Sequence, residues 1–328
     1  MKKTLAALGA LAASFLCIAP APSWAQGAAS FPAKPIRLVV PYPAGGTTDI
    51  MARSIQAQLQ EKIGQTVIVD NKPGASGVLA AREVAHAPAD GYALLFVNSG
   101  MVSVTPLVVP NAGFDGVKDF APVALVSTAP LFVVTNAKVP ATDLRSFIAY
   151  ARKQPQPLAY ASAGVGSFGH LASELFAKTA GLKMTHIPYK GQAPTTNAVI
   201  SGEVQVLITT ASATMNEFID NGRLRLLGVT SGEPSSLAPN APTVGTVLSG
   251  YKAETWFAVL APANTPGAVV AKLNKVISEA VRAEGIDKRF ASFGLVAATA
   301  TPEKLAEMVR DDVARWAPVV RENNISSN

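Results

Sequence analysis

Cysteine is nearly absent from this chain: Cys17 is the only one in 328 residues. It falls inside the N-terminal apolar stretch 5–18, so removal of that stretch leaves no thiol. Disulfide scaffolds, thiolate metal sites and cysteine nucleophiles are then excluded. Ser14-Phe15-Leu16 ahead of Cys17 lack the small residues a lipid-anchored cysteine wants. Histidine is scarce too, with His86, His170 and His186 the only three. None is expected beside a cysteine or a carboxylate pair, so neither a metal nor a cofactor is predicted. Charged residues make up 15% of the chain, and the Lys and Arg are scattered. A nucleic-acid partner would require a basic stripe with interleaved aromatics, which is missing. Beyond residue 18 no apolar run approaches the roughly 20 residues of a membrane span.

What is present begins with a leader. Met1-Lys2-Lys3, the short apolar run and Ser23-Trp24-Ala25 are the three parts of a secretory signal, with cleavage expected after Ala25. Residues 1–25 are therefore read as a signal peptide and the mature chain as exported. Losing Lys2 and Lys3 lowers the formal charge from +6 to +4, a weak field that helps collect anions. About 300 remaining residues exceed one typical core, so two domains are expected.

Strand and helix patterns then alternate. An apolar strand over 36–40 enters the turn Pro41-Tyr42-Pro43-Ala44-Gly45-Gly46-Thr47-Thr48-Asp49 and a helix to Ile63, with Met51, Ile55, Leu59 and Ile63 at four-residue spacing. Strands over 66–69 and 92–97 flank a helix ending near His86. The β-branched run 124–135, interrupted by Pro130, reads as an edge strand or a passage between domains. A second α/β series follows: helix 143–152, strand 158–162, helix to 179, strand 184–187, helix 195–201, strand 204–208, helix 215–221 and strand 224–229. Residues 231–250 form a loop and 254–260 a strand. Thr265-Pro266 and Thr301-Pro302 each read as an N-cap followed by proline at the first helical position. Helices separating the strands imply parallel sheets.

Two adjacent glycines at a strand-to-helix turn leave N–H groups bare at the positive end of a helix dipole, a geometry that favours an anion. Ser162-Ala163-Gly164-Val165-Gly166-Ser167 repeats that logic in the second series.

Several short segments in order carry a family resemblance: Pro41 to Arg53, Val69-Asp-Asn-Lys-Pro-Gly74, Pro88-Ala-Asp-Gly-Tyr-Ala-Leu-Leu95, Gly166-Ser167, His186-Ile-Pro-Tyr-Lys-Gly191, Pro242-Thr243, Trp256 and Ala261-Pro-Ala-Asn-Thr-Pro266. On these the chain resembles the periplasmic solute-binding component of the tripartite tricarboxylate transporters, the Bug family. The resemblance implies an α/β, two-lobed periplasmic binding protein of type II-like fold, each lobe a mixed, mostly parallel sheet flanked by helices. Lobe 1 is expected over 26–124 and 230–328 and lobe 2 over 125–229. The implied role is to close as a monomer over a small organic acid and deliver it to two membrane subunits. Ser76 stands where the family usually has glycine, and Gln205 where an acid is common.

The ligand-binding residues expected are Tyr42, Pro43, Ala44, Gly45, Gly46, Thr48, Asp49 and Ser76 on one side, and Ser162, Gly164, Gly166, Ser167, His170, Tyr189, Thr209 and Ser212 on the other. Asp49 either meets ligand or caps its helix. His170 faces the pocket or the helix surface, the surface being favoured, and Tyr189 lines the cleft or the core. Trp256 is assigned to the core.

Two enzyme readings compete. Gly164–Gly169 satisfies G-x-G-x-x-G, but the ribose-binding acid due about 20 residues on is missing at 186–190, which weighs against an NAD-dependent oxidoreductase. A secreted hydrolase using Ser162 or Ser167 lacks a G-x-S-x-G elbow and an S-x-x-K pair. His170 shares a helix with Ser167, a poor arrangement for a triad.

Overall fold

A computed structural model describes residues 31–326. The expected leader, with Cys17 and its cleavage site, lies outside them. The apolar run becomes β1 (Ile36–Val40), whose residues are almost all buried. It leads into α1 (Thr47–Ile63), which ends at Gly64, where a left-handed φ of 71° lets the amide donate back to the Gln60 carbonyl. β2 (Val67–Asn71), a 3-10 turn (Ala75–Gly77), α2 (Val78–Ala85) and β3 (Ala93–Asn98) follow. β1 pairs in parallel with β2 and β3. Two short helices absent from the sequence reading come next, α3 (Ser99–Ser103) and α4 (Thr105–Val108).

β4 (Phe120–Asn136) is a single strand of 17 residues, and it is central rather than an edge. Its first part pairs antiparallel with β9 (Glu254–Pro262), from Phe120↔Pro262 to Pro130↔Glu254. Its second part pairs with β7 (Val206–Thr210) and β8 (Leu224–Val229), starting at Leu131↔Thr210 and Phe132↔Val229. Pro130 thus sits where the strand passes from one set of partners to the other, a place that spares its missing N–H. After β4 come α5 (Leu144–Arg152), β5 (Leu158–Ser162), α6 (Phe168–Ala180), β6 (Met184–Pro188), α7 (Gln192–Ser201) and α8 (Ala213–Asp220), with β7 before α8 and β8 after it. β5 pairs in parallel with β6 and β7. The sheet order is β2-β1-β3-β9-β4-β7-β5-β6, with β8 also on β4, so helices separate the parallel strands on either side of the crossing.

The return crossing is made at Thr230. Its amide donates to the Leu131 carbonyl, the Ala253 amide donates to its carbonyl, and its buried hydroxyl accepts from the Leu131 amide at 2.8 Å and donates to the Ala253 carbonyl. The chain between these points packs on the second half. Val244, Leu248 and Tyr251 share a core with Phe147, Tyr160 and Phe176, and the Tyr251 hydroxyl donates to the Ala172 carbonyl at 3.0 Å.

After β9 come α9 (Gly267–Val281), α10 (Ile286–Ala291), β10 (Val296–Ala297), which pairs with β4, and α11 (Pro302–Glu322). Thr301 is the N-cap of α11 as expected, with Pro302 at the first position. At α9 the cap is Pro266 itself, because the Thr265 hydroxyl turns back to the Pro262 carbonyl. α11 does not pack on the first half alone. Leu305 and Val309 join the core of Val39, Leu95 and Trp256, whereas Trp316, Val319 and Val320 join the core of the second half. Each buried aliphatic side chain contributes about 1.5–3 kcal/mol, so α11 ties both halves together. The expectation that all of 230–328 packs with lobe 1 therefore covers only part of that segment.

Candidate functional site

The β1–α1 turn is built by its own side chains. Asp49, 2% exposed, accepts from the Gly45 amide at 2.9 Å, from Arg53 at 2.9 Å and from Asn71 at 3.0 Å. Burial opposes ionisation of this carboxyl, but Arg53, Gly45 and Asn71 together hold it below the ordinary carboxylate range. Asp49 is the third helical residue reaching back to fix the turn, not the N-cap, which is Gly46. The Gly46 amide donates to the Pro43 carbonyl at 3.3 Å. The two glycine N–H groups expected to be bare are consequently engaged, and Pro43, Ala44, Gly45 and Gly46 are exposed. The unpaired donors lie one step on, at the first helical positions Thr47 and Thr48, which have no intrahelical acceptor.

The β5–α6 turn behaves the same way. Ser162, 1% exposed, accepts from the Gly164 amide at 3.2 Å and touches His186 Nε2 at 2.6 Å. The Gly166 amide donates to His170 Nδ1 at 3.1 Å, and Ser167 caps α6 by accepting from the His170 amide at 3.3 Å. His170 is buried, not on the helix surface. Its ring lies 3.9 Å from that of His186, which in turn stacks on Tyr160 at 5.0 Å. Burial lowers both histidines to about 4, helped at His186 by the neighbouring His170. Tyr160 donates to Glu174. Gly169 is needed for packing: a Cβ there would stand 2.7 Å from the Ile208 carbonyl oxygen. That explains the last glycine of the G-x-G-x-x-G pattern without a nucleotide.

Two adjoining cavities lie between the turns. One, of about 340 Å³, is lined by Tyr42 and Gly166 together with Met101, Val104, Val108 and Leu171. The other, of about 430 Å³, is lined by Thr47, Thr48, Gln192, Thr210, Ser212 and Phe293 among others. Asn98, Phe168 and Thr255 border both. No Lys, Arg, His, Asp or Glu lines either chamber. Instead the first residues of α1, α6, α7 and α8 (Thr47, Phe168, Gln192 and Ala213) open into them. Helix N-termini carry about half a positive charge each with N–H groups to match, so an anion is the ligand this arrangement favours.

Of the residues expected from sequence, Tyr42, Thr48, Gly166 and Ser212 line the chambers. Burial pushes the Tyr42 hydroxyl up in pKa, so it stays a donor, and it reaches Asn98 Oδ1 at 3.3 Å. Asp49, Ser162, Gly164, Ser167 and His170 shape the turns from behind. Tyr189 donates to Glu203 at 2.7 Å, and Thr209 pairs across β4 with Phe132; neither lines a chamber. Ser76 sits in the 3-10 turn, and its side chain falls outside what the structure describes. Sequence reading missed Asn98, Thr255 and Gln192. Asn98 had a visible signal, an asparagine at the end of an apolar strand and hence a candidate N-cap. It accepts from the Met101 amide at 3.0 Å and caps α3. Since Oδ1 takes both this amide and the Tyr42 hydroxyl, Nδ2 is the free donor at the junction of the chambers.

Among the described residues, the Ser162–His186 contact is the arrangement suggestive of a nucleophile and base. Its serine is sealed from solvent and shared with the Gly164 carbonyl at 3.0 Å. Its histidine packs against the Tyr160 and His170 rings with its basicity depressed. Both features are wrong for nucleophilic attack.

Known proteins resemble this chain along most of its length. Residues 51–325 match the tripartite tricarboxylate transporter family receptor. Protein BugT of Bordetella pertussis is 36% identical over 324 residues, covering 98% of this chain and 98% of BugT. R. palustris Rpa4515, solved with adipate, is 33% identical with a TM-score of 0.71, over 90% of this chain and 99% of that one. MatC (Rpa3494) from Rhodopseudomonas palustris, solved with bound malate, is 30% identical with a TM-score of 0.67, over 88% and 100%. With most of its length matched in sequence and in fold, this chain belongs to the family of tripartite tricarboxylate transporter receptors.

Proposed function

We propose that the mature chain captures a small organic carboxylate in the two chambers and passes it to the membrane subunits of a tripartite transporter in the periplasm. One observation carries this reading: four helix N-termini open into a cleft that no charged side chain lines. A carboxylate there takes hydrogen bonds from oriented amides and from Asn98 Nδ2, and needs no lysine or arginine. Adipate and malate, bound by the relatives Rpa4515 and MatC, are ligands of that class.

Two lobes, one built on 26–124 with most of 254–328 and the other on 125–229 with the segment around 244–251 and the end of α11 packed on it, rotate about Pro130 and Thr230. Closure expels water and forms the face that the membrane partner reads. The protein acts as a monomer and performs no covalent chemistry. The leader is cut after Ala25, so Edman sequencing of exported protein begins at Gln26.

Calorimetric titration and thermal shift with a panel of organic acids test the central claim. A ligand at a hundred times its Kd adds about 2.7 kcal/mol to native stability. No heat and no stabilisation with any carboxylate at millimolar concentration would refute it.

A further inference from the structure

Asn98 and Gln192 are the two side-chain amides that line the cleft, and the partners of each fix which way it faces. Asn98 Oδ1 is occupied, so that residue presents a donor. At Gln192 the opposite holds. Its Nε2 donates to the Thr210 carbonyl at 2.7 Å. A carbonyl only accepts, so the amide cannot be reversed without losing that bond. Oε1 has no partner among the described residues and is left to the chamber that Gln192 lines. The hydroxyls nearby are less committed. Ser212 accepts from the Met215 amide at 3.2 Å and keeps its proton to donate, while Thr255 and Ser99 can share a proton either way. Gln192 Oε1 can only accept.

From this we infer that Gln192 selects a ligand bearing a hydroxyl beside its carboxylate and discriminates against the same acid without one. The inference rests on the carboxylate-binding reading above and narrows it. A carboxylate oxygen cannot satisfy Oε1, because two acceptors would meet with no proton between them. A plain acid shut into the cleft leaves Oε1 without a donor, and a site built to meet a hydroxyl rejects the analogue that lacks it. An ammonium would also donate. The starts of α1, α7 and α8, however, put positive partial charge on this chamber, and no acidic side chain lines it to compensate. A hydroxyl meets Oε1 without that repulsion.

Calorimetric titration of the purified mature protein with matched acids tests the assignment: propanoate and lactate, butanoate and 3-hydroxybutanoate, succinate and malate, with aspartate as the ammonium counterpart of malate. In the pair whose spacing fits, the hydroxy acid is expected to bind about tenfold more tightly, the size of one neutral hydrogen bond. Malate is expected to bind more tightly than aspartate. Gln192→Met removes Oε1 and keeps the length of the side chain, so the ratio within the fitting pair should fall to about one. Each plain acid matching its hydroxy partner, aspartate matching malate, or a ratio that survives Gln192→Met overturns the inference and leaves carboxylate capture standing. If the variant does not fold, the pairs measured on the unmodified protein still decide. Failure of every acid to bind brings down both.

Discussion

His170 receives the Gly166 amide on Nδ1 while its ring lies nearly parallel to that of His186, at 3.9 Å and 11°. A protonated Nδ1 cannot accept that bond, and two charged rings at this separation repel. The groups facing the pair are Glu174, 3.9 Å from His170 Nε2, Tyr160 and Ser162.

Acidification should therefore destabilise the protein. The folded histidines titrate near 4, while unfolded ones titrate near 6.5. Between those values the unfolded chain binds protons that the folded one does not, so stability is full above about 6.5 and falls as pH drops towards 4. Each histidine supplies at most about 1.4 kcal/mol per pH unit. Asp312 acts with the opposite sign. Burial raises it to about 6 against the pull of Arg315 and Trp256, so its share is present at low pH and lost as pH rises through 6. Urea midpoints at pH 7.5, 6.5, 5.5 and 4.5 are expected to fall with pH. His186→Asn should make the fall shallower and Asp312→Asn steeper. A level profile in the unmodified protein would contradict the assignment.

Glycines in the two turns should part company. Gly45 and Gly166 both hold a left-handed backbone, at φ 82° and 75°, so valine at either strains the chain by about 1–2 kcal/mol or more. Only Gly166 lines a chamber. Gly166→Val is expected to lower carboxylate affinity and stability together, and Gly45→Val to lower stability alone. Equal loss of affinity in both would show that ligand reaches the Ala44–Gly46 backbone, as the sequence alone suggests.

The crossing at Thr230 offers a test of the hinge. Its hydroxyl is buried and serves Leu131 and Ala253 at once. Thr230→Val keeps the shape and strands those polar groups, at a cost of about 1–3 kcal/mol. Urea unfolding measures it, and an unchanged midpoint would show that the bond adds nothing.

Legibility in sequence followed local order. β1, β5 and β8 keep the limits that their apolar runs gave, because a strand buried on both faces announces itself. Pro130 falls where β4 exchanges β9 for β7 and β8, a change of partners that a proline in an apolar run can flag. α3 and α4 were invisible: helices of five and four residues carry no periodicity. The turns were legible as turns, but not which of their amides remain free. That depends on Asp49, Ser162 and His170 folding back onto Gly45, Gly164 and Gly166, a geometry that spacing does not encode. Nor could the chain's order reveal that α11 reaches both cores, because its apolar face continues unbroken through both halves.

Asn98 provides the sharpest test of where the carboxylate sits. Its Oδ1 is committed to Met101 and Tyr42, which leaves Nδ2 as the donor presented at the junction. Asn98→Asp retains an acceptor for the Met101 amide, so the cap of α3 survives, since Asp caps as well as Asn. What changes is the other end of the side chain, from a donor to a negative charge in the path of the ligand. Affinity for any carboxylate is expected to fall by about a hundredfold, of the size of a charge-assisted hydrogen bond lost and a repulsion gained. Thermal stability without ligand should shift little. Asn98→Ala separates the terms, costing about 1 kcal/mol of stability for the lost cap and a smaller loss of affinity. If the aspartate variant bound carboxylates as well as the unmodified protein, the ligand could not lie against Asn98, and the junction of the two chambers would not be its seat.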